Sequence, residues 1–201
     1  ISRLGDVKLI GSFHPLVESP NFGFTFGIKL PTGSDTMMGT QIAGSSPNGV
    51  NHPGSPFLID AGLQPGTGTT DLVAGLFYHQ AINRDWDYFA QATYQAAVMG
   101  PTETYHPGNG VNLNLGARYM SFDSVMPQIQ VNARHVNVDS GILSDTISTG
   151  GSLVYISPGL DIRTGSQTNV YGFVQIPLYQ NVIGYQLVPR YTLSVGMHYA
   201  F

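Results

Sequence analysis

Cysteine is absent, which excludes disulfides and thiolate metal sites. Charge is scarce: Asp, Glu, Lys and Arg supply 10% of the residues, against roughly 25% in ordinary globular domains. A surface facing water usually carries about 25–35% of such residues, and with so little lysine this chain has little from which to build one. No apolar run reaches the roughly 18 residues that a membrane-spanning helix needs. The net charge of −4 is acidic and dispersed, which argues against nucleic acid as a partner. Helical periodicity is missing throughout. The opening Ile1-Ser2-Arg3 has neither Met nor a leader pattern, and reads as a processed chain or a fragment.

What remains is polarity without charge. Asn, Gln, Ser, Thr and Gly hold the mean hydropathy near neutral, and such residues line a wet interior without the cost of burying ions. They alternate with apolar residues at period two, the signature of strands with unlike faces. Phe22, Phe24, Phe26, Ile28 and Leu30 oppose Gly23, Thr25, Gly27 and Lys29. Val111, Leu113, Leu115 and Ala117 oppose Asn112, Asn114, Gly116 and Arg118, and Ile129, Val131 and Ala133 oppose Gln128, Gln130, Asn132 and Arg134. The segment Tyr88–Val98 sets Gln91, Thr93 and Gln95 against Tyr and Ala, and Tyr191–Phe201 ends the chain with the same alternation. Weaker strands fall near 5–14, 70–79, 150–160 and 169–177. Most of these segments are ~10 residues long, the length of a tilted strand crossing a bilayer.

Short links near Val17–Asn21, Asn83–Asp87, Asp123–Met126 and Arg163–Thr168 alternate with longer ones at Pro31–Gly68, Pro101–Gly110, Asn137–Ser148 and Leu178–Pro189. That rhythm is expected of bacterial outer-membrane barrels. Pairing the strands around Asp123–Met126 with Arg118 opposite Gln130 puts Asn114 against Arg134 and Leu115 against Ala133. A slip of one residue would turn an arginine into lipid, at a cost of roughly 2–4 kcal/mol near the midplane.

A soluble barrel would point the apolar face inward. Apolar-out is favoured by the charge-free apolar faces, by aromatics near strand ends (Phe22, Tyr78, Tyr88, Tyr119, Tyr191, Tyr199) and by the scarcity of lysine. The expected fold is therefore all-β, a single antiparallel transmembrane β-barrel in the bacterial outer membrane, with 31–68 as a long extracellular loop. Single-chain bacterial barrels have even strand numbers. The odd number read here predicts at least one strand before Ile1 and ten to twelve in the intact protein. The last strand, ending in Tyr199 and Phe201, is similar to the carboxy-terminal signal of outer-membrane proteins that the barrel-assembly machinery reads.

The motifs Leu4-Gly5-Asp6-Val7-Lys8-Leu9, Gly27-Ile28-Lys29-Leu30-Pro31-Thr32-Gly33 and Leu63-Gln64-Pro65-Gly66-Thr67-Gly68-Thr69-Thr70-Asp71 carry a wider resemblance. They continue in Ser157-Pro158-Gly159-Leu160, Gln175-Ile176-Pro177-Leu178-Tyr179-Gln180 and Leu193–Phe201. In this order, over nearly the whole chain, they resemble a family of outer-membrane β-barrel transporters linked by name to the meta pathway of phenol degradation. The resemblance implies a barrel, a transport role and a longer amino terminus.

The residues expected to face the lumen are Lys8, Lys29, Asp71, Gln91, Gln95, Asn112, Asn114, Arg118, Gln130, Asn132, Arg134 and His198, with Gln128 and Gln175 beside them. They would line either a hydrated, slightly cationic passage or a plugged interior whose hydrogen bonds stiffen the barrel. The six histidines share no metal-site spacing. Ser194 and His198 share a strand face ~13 Å apart, too far for a catalytic pair along the strand. Gly66-Thr67-Gly68 lacks the lysine of a phosphate loop and reads as a turn. Asp35 and Asp60 read as solvated loop carboxylates, and Met37-Met38 and Phe57-Leu58-Ile59 as packing, a plug or a contact for an apolar substrate. The expectation is thus a non-enzymatic barrel without cofactor or metal. Its partners are lipids, the assembly machinery and a small-molecule solute, aromatic or apolar ones included. A closed barrel that binds a partner in an envelope assembly is the alternative.

Overall fold

The computed structural model of the chain describes residues 4–14, 21–40, 54, 56–100, 103–122 and 124–199. Its strands are β1 (Val7–Phe13), β2 (Phe22–Leu30), β3 (Met38–Thr40), β4 (Pro56–Leu58), β5 (Thr70–Ala81), β6 (Trp86–Met99), β7 (Gly110–Tyr119), β8 (Val125–Val136), β9 (Gly151–Arg163), β10 (Thr168–Val182) and β11 (Thr192–Tyr199). Nine of them form one antiparallel sheet in the order β1-β2-β5-β6-β7-β8-β9-β10-β11, curled into a half-barrel. The edges of the sheet are β1 and β11. Among the described residues the only helical element is a 3-10 turn at Ala61–Leu63.

The connections sort by length to opposite ends of the sheet. Among the described residues, 82–85, 120–122 and 164–167 turn tightly at one end, while 31–40, 56–69, 103–109, 137–150 and 183–191 occupy the other. Two expectations change here. The connection read as Leu178–Pro189 begins later, because β10 resumes pairing beyond a register shift at Pro177/Tyr179 and runs to Val182. Proline offers no N–H to the ladder, so the pairing steps past it. Within the long segment 31–68, β3 also pairs antiparallel with β4.

The pairing of β7 with β8 keeps the expected parity but not the expected partners. Arg118 faces Gln128, Asn114 faces Asn132 and Leu115 faces Val131, a shift of two residues from the pairing read from the sequence. A two-residue step leaves every side chain on its own face. It also brings Asn132 Nδ2 to 2.8 Å from Asn114 Oδ1.

The polar face is concave and the apolar face convex. Lys8 on β1 reaches across two intervening strands to Gln95 on β6, Nζ to Oε1 at 2.8 Å, which only an inward curl allows. On the convex side large apolar groups stand open: Phe26 is 57% exposed, Leu115 58% and Val195 72%. The groups withdrawn from solvent are mostly polar: Thr25, Lys29, Thr69, Asp71, Asp87 and Ser157 are buried, against Val73, Met126 and Tyr155 among the hydrophobic residues. An ordinary domain in water has the opposite arrangement.

Aromatic rings gather on the convex side at the tight-turn end. Phe22 lies opposite Tyr78 in the β2–β5 register. Tyr78 and Tyr88 approach to 5.8 Å between ring centroids, and Trp86 and Tyr119 to 5.0 Å. Both tyrosine hydroxyls of the first pair donate to Gln80 Oε1, at 2.5 and 3.0 Å.

Candidate functional site

The concave face divides into three zones along its length. At the end with long connections, cross-strand register places Lys8 opposite Lys29 and Lys29 opposite Asp71. Two adjacent lysines would repel, and the acids resolve this. Lys29 Nζ lies 2.9 Å from Asp71 Oδ1 and 3.4 Å from Asp6 Oδ2, with Lys29 and Asp71 buried and Asp6 partly so. It also donates to Thr69 Oγ1 at 3.2 Å and to the Thr67 hydroxyl. Asp71 takes two further hydrogen bonds, from Thr69 at 2.7 Å and from Gln95 Nε2 at 2.5 Å. The other end of the Gln95 amide accepts from Lys8. A buried ion needs this completeness, because each unmet lone pair or proton adds to the desolvation cost.

Asp6, in the segment entering β1, ties this cluster to the connections above it. Its carboxylate accepts from the backbone N–H of Gly33 at 3.0 Å, and from the Thr67 N–H and hydroxyl, each at 3.1 Å. Burial would raise the Asp6 pKa, but these hydrogen bonds and the Lys29 charge outweigh it and hold the carboxyl below its ordinary value. The two segments that supply the donors touch glycine on glycine. A Cβ at Gly66 would sit 2.5 Å from the Gly33 carbonyl oxygen, and one at Gly33 2.8 Å from Gly66 Cα.

Lys8, Lys29, Asp71, Gln95, Asn112 and Arg134 share the lining of one cavity of about 400 Å³ with Tyr105 and Asp139 from the connections. Tyr105 donates to Asp139 Oδ2 at 3.0 Å, and the Gly108 N–H donates to Oδ1 at 2.8 Å. Burial, and then the Asp139 charge beside it, push the Tyr105 pKa far above its ordinary value, so the phenol keeps its proton and remains a donor.

The middle zone is a band of neutral amides. Asn114 Nδ2 donates to Gln91 Oε1 at 3.3 Å, and Asn132 Nδ2 donates to Asn114 Oδ1 at 2.8 Å and to Gln130 Oε1 at 3.1 Å. The Ser157 hydroxyl closes the row by donating to Asn132 Oδ1. The third zone, at the tight-turn end, holds Arg118 and Asp87 in a two-pronged pair. Nε donates to Oδ1 at 3.0 Å and Nη2 to Oδ2 at 2.5 Å.

The register thus sets the residues expected inside on one concave face, but apart. His198 lies at the far edge on β11, opposite Asn169, away from the Lys29 cluster. Tyr199 falls on the convex side and is 49% exposed. Phe201 lies outside the described residues, as does one of the six histidines, His52. Ser194 faces Phe173 across the strands, not a histidine. A Ser–His contact does form elsewhere, His135 Nδ1 to Ser152 Oγ at 2.8 Å, on the exposed side at the long-connection end. No carboxylate among the described residues hydrogen-bonds to that imidazole, so the group that would orient a catalytic base is missing.

Sequence reading passed over Asp6, Thr67, Thr69, Asp87, Tyr105, Asp139 and Ser157. Thr67, Thr69 and Asp71 alternate at period two, a signal that runs on from the turn into β5. Nothing local joins Tyr105 to Asp139. Among the described residues no group of three His, Asp or Glu stands where it would hold a metal ion. Comparison of the chain with protein-family models and with curated proteins finds no match in either.

Proposed function

We propose that this sheet is the greater part of a transmembrane β-barrel of a bacterial outer membrane and that its interior passes small molecules without catalysing their conversion. The observation that carries the reading is the inversion of the two faces. Apolar side chains stand open on the convex side, while lysine, aspartate and amides are withdrawn and hydrogen-bonded on the concave side. A hydrocarbon solvent outside would make that arrangement favourable, which supports the reading. The aromatic row at the tight-turn end fits an interfacial girdle on the periplasmic side. The long connections, 31–68 among them, then face the cell exterior, and Tyr199 and Phe201 serve as the assembly signal. Closure between the edges β1 and β11 calls for further strands, ten or twelve in all. The resemblance to transporters linked with the phenol meta pathway points the same way.

Passage is tested by reconstituting the full-length protein in planar bilayers and liposomes. Discrete conductance steps and swelling in small neutral solutes are the expected results. The absence of both, from correctly folded protein, would exclude passage. One observation favours a second reading, a closed barrel that binds a partner: the amide band from Gln91 to Ser157 resembles an interior plug. That reading predicts folded protein that never conducts.

A further inference from the structure

Above the charged cluster lies a second cavity, of about 370 Å³, and it is unlike the first. Three separate connections build it: Leu58, Ile59 and Ala61 from the first long one, Tyr105 from the next and Leu143 from the third. Its surface is mostly apolar, and its size falls in the range of small-molecule sites, roughly 300–1,000 Å³. Most polar groups around it are already used. The Gln64 amide accepts from Met37 N at 2.9 Å and donates to Met37 O at 3.1 Å and Ile59 O at 2.8 Å. The Thr67 hydroxyl belongs to the Asp6–Lys29 cluster. What remains is the Thr36 hydroxyl and two carboxylates, so the charge around the cavity is negative. Among the described residues, Asp60 receives only the Gly62 N–H, on Oδ1 at 2.8 Å, and Asp35 makes no hydrogen bond.

We infer that this cavity binds a small apolar molecule carrying one hydrogen-bond donor, an alcohol or an amine, and discriminates against carboxylates. The apolar walls take the body of the ligand by removing it from water. Either carboxylate can accept its O–H or N–H, and both repel an anion of the same shape. Tyr105 and Thr67 also line the lower cavity, so the floor of the upper site is a wall of the charged chamber beneath. A ligand held here stands at the entrance to the concave face. The inference deepens the passage reading by naming a solute class, yet occupancy can be measured without passage.

The test uses benzyl alcohol, benzylamine and benzoate, which share a body and differ in the head group. Each is titrated into the full-length protein in lipid nanodiscs and followed by calorimetry. Alcohol and amine should bind at least about tenfold more tightly than benzoate. Asp35→Asn combined with Asp60→Asn should bring amine and benzoate to within about threefold of each other. Leu143→Asp should weaken the alcohol by about tenfold or more through the charge in an apolar wall. Since the chain has no cysteine, the thiol introduced by Leu143→Cys gives an independent readout. Its alkylation should slow in benzyl alcohol and not in benzoate. Benzoate binding as tightly as the amine, or alcohol binding untouched by Leu143→Asp, would overturn the inference. Conductance without such binding removes this site and spares the passage reading; binding without conductance does the reverse.

Discussion

On β7 the two faces of the sheet can be compared residue by residue. Leu113 and Leu115 are 48% and 58% exposed on the convex side, while Asn112 and Asn114 beside them turn inward and donate to Thr93 and Gln91. The same chain, at neighbouring positions, leaves its oily groups open and satisfies its polar ones. In water this would forfeit the main driving force for folding. The comparison teaches that the surroundings of the convex face, and not the contacts inside the sheet, decide whether this arrangement is stable.

The largest effect is expected where the concave face is most committed. Lys29→Met strands the buried carboxylate of Asp71 and the partly buried one of Asp6, and should lower unfolding stability by about 3–5 kcal/mol. Adding Asp71→Leu should recover part of that loss, because an uncompensated charge costs more than an absent pair. Denaturant unfolding in lipid, followed by the single tryptophan, Trp86, gives the measurement.

A smaller effect is expected on the convex face. Leu113→Arg should cost about 2–4 kcal/mol in a bilayer if the residue lies near the midplane. Ser194→Arg, on the concave side opposite Phe173, should cost less than about 1 kcal/mol in the same assay if the interior is hydrated as proposed. Equal costs at the two positions would erase the distinction between the faces.

The smallest effect concerns acid. Asp6 has a folded pKa below its ordinary value, so its clamp on Gly33 and Thr67 contributes stability above the ordinary carboxylate pKa. That contribution is lost as pH falls through the lowered one. Stability should therefore decline on acidification across that window, and Asp6→Asn should flatten this part of the profile.

The strand faces were legible in the sequence because side-chain direction in a strand has period two, and Phe22–Leu30 or Val111–Tyr119 state it without interruption. Parity of register followed, since a slip of one would have exchanged Arg118 and Ala117 between faces. The exact partner did not. A link such as 120–124 does not reveal how many residues it consumes, and Arg118 met Gln128 in place of Gln130. Of the buried cluster, Lys29, Asp71 and Gln95 were visible as polar interruptions on strands. Asp6 and Thr67 lie in connections, where polar residues are the norm and carry no signal. The upper cavity was legible only as Phe57-Leu58-Ile59, apolar residues in a polar loop. Tyr105 and Leu143 join it through tertiary contact alone.

Whether the convex face meets lipid, as proposed, is measured most directly with two single-cysteine proteins, Leu113→Cys and Asn112→Cys. Each is labelled with one fluorophore and reconstituted in vesicles. Brominated acyl chains should quench the label at 113 and spare the one at 112, while aqueous iodide should do the opposite. Quenching of both labels by iodide alone, or bromolipid quenching confined to position 112, would contradict the account.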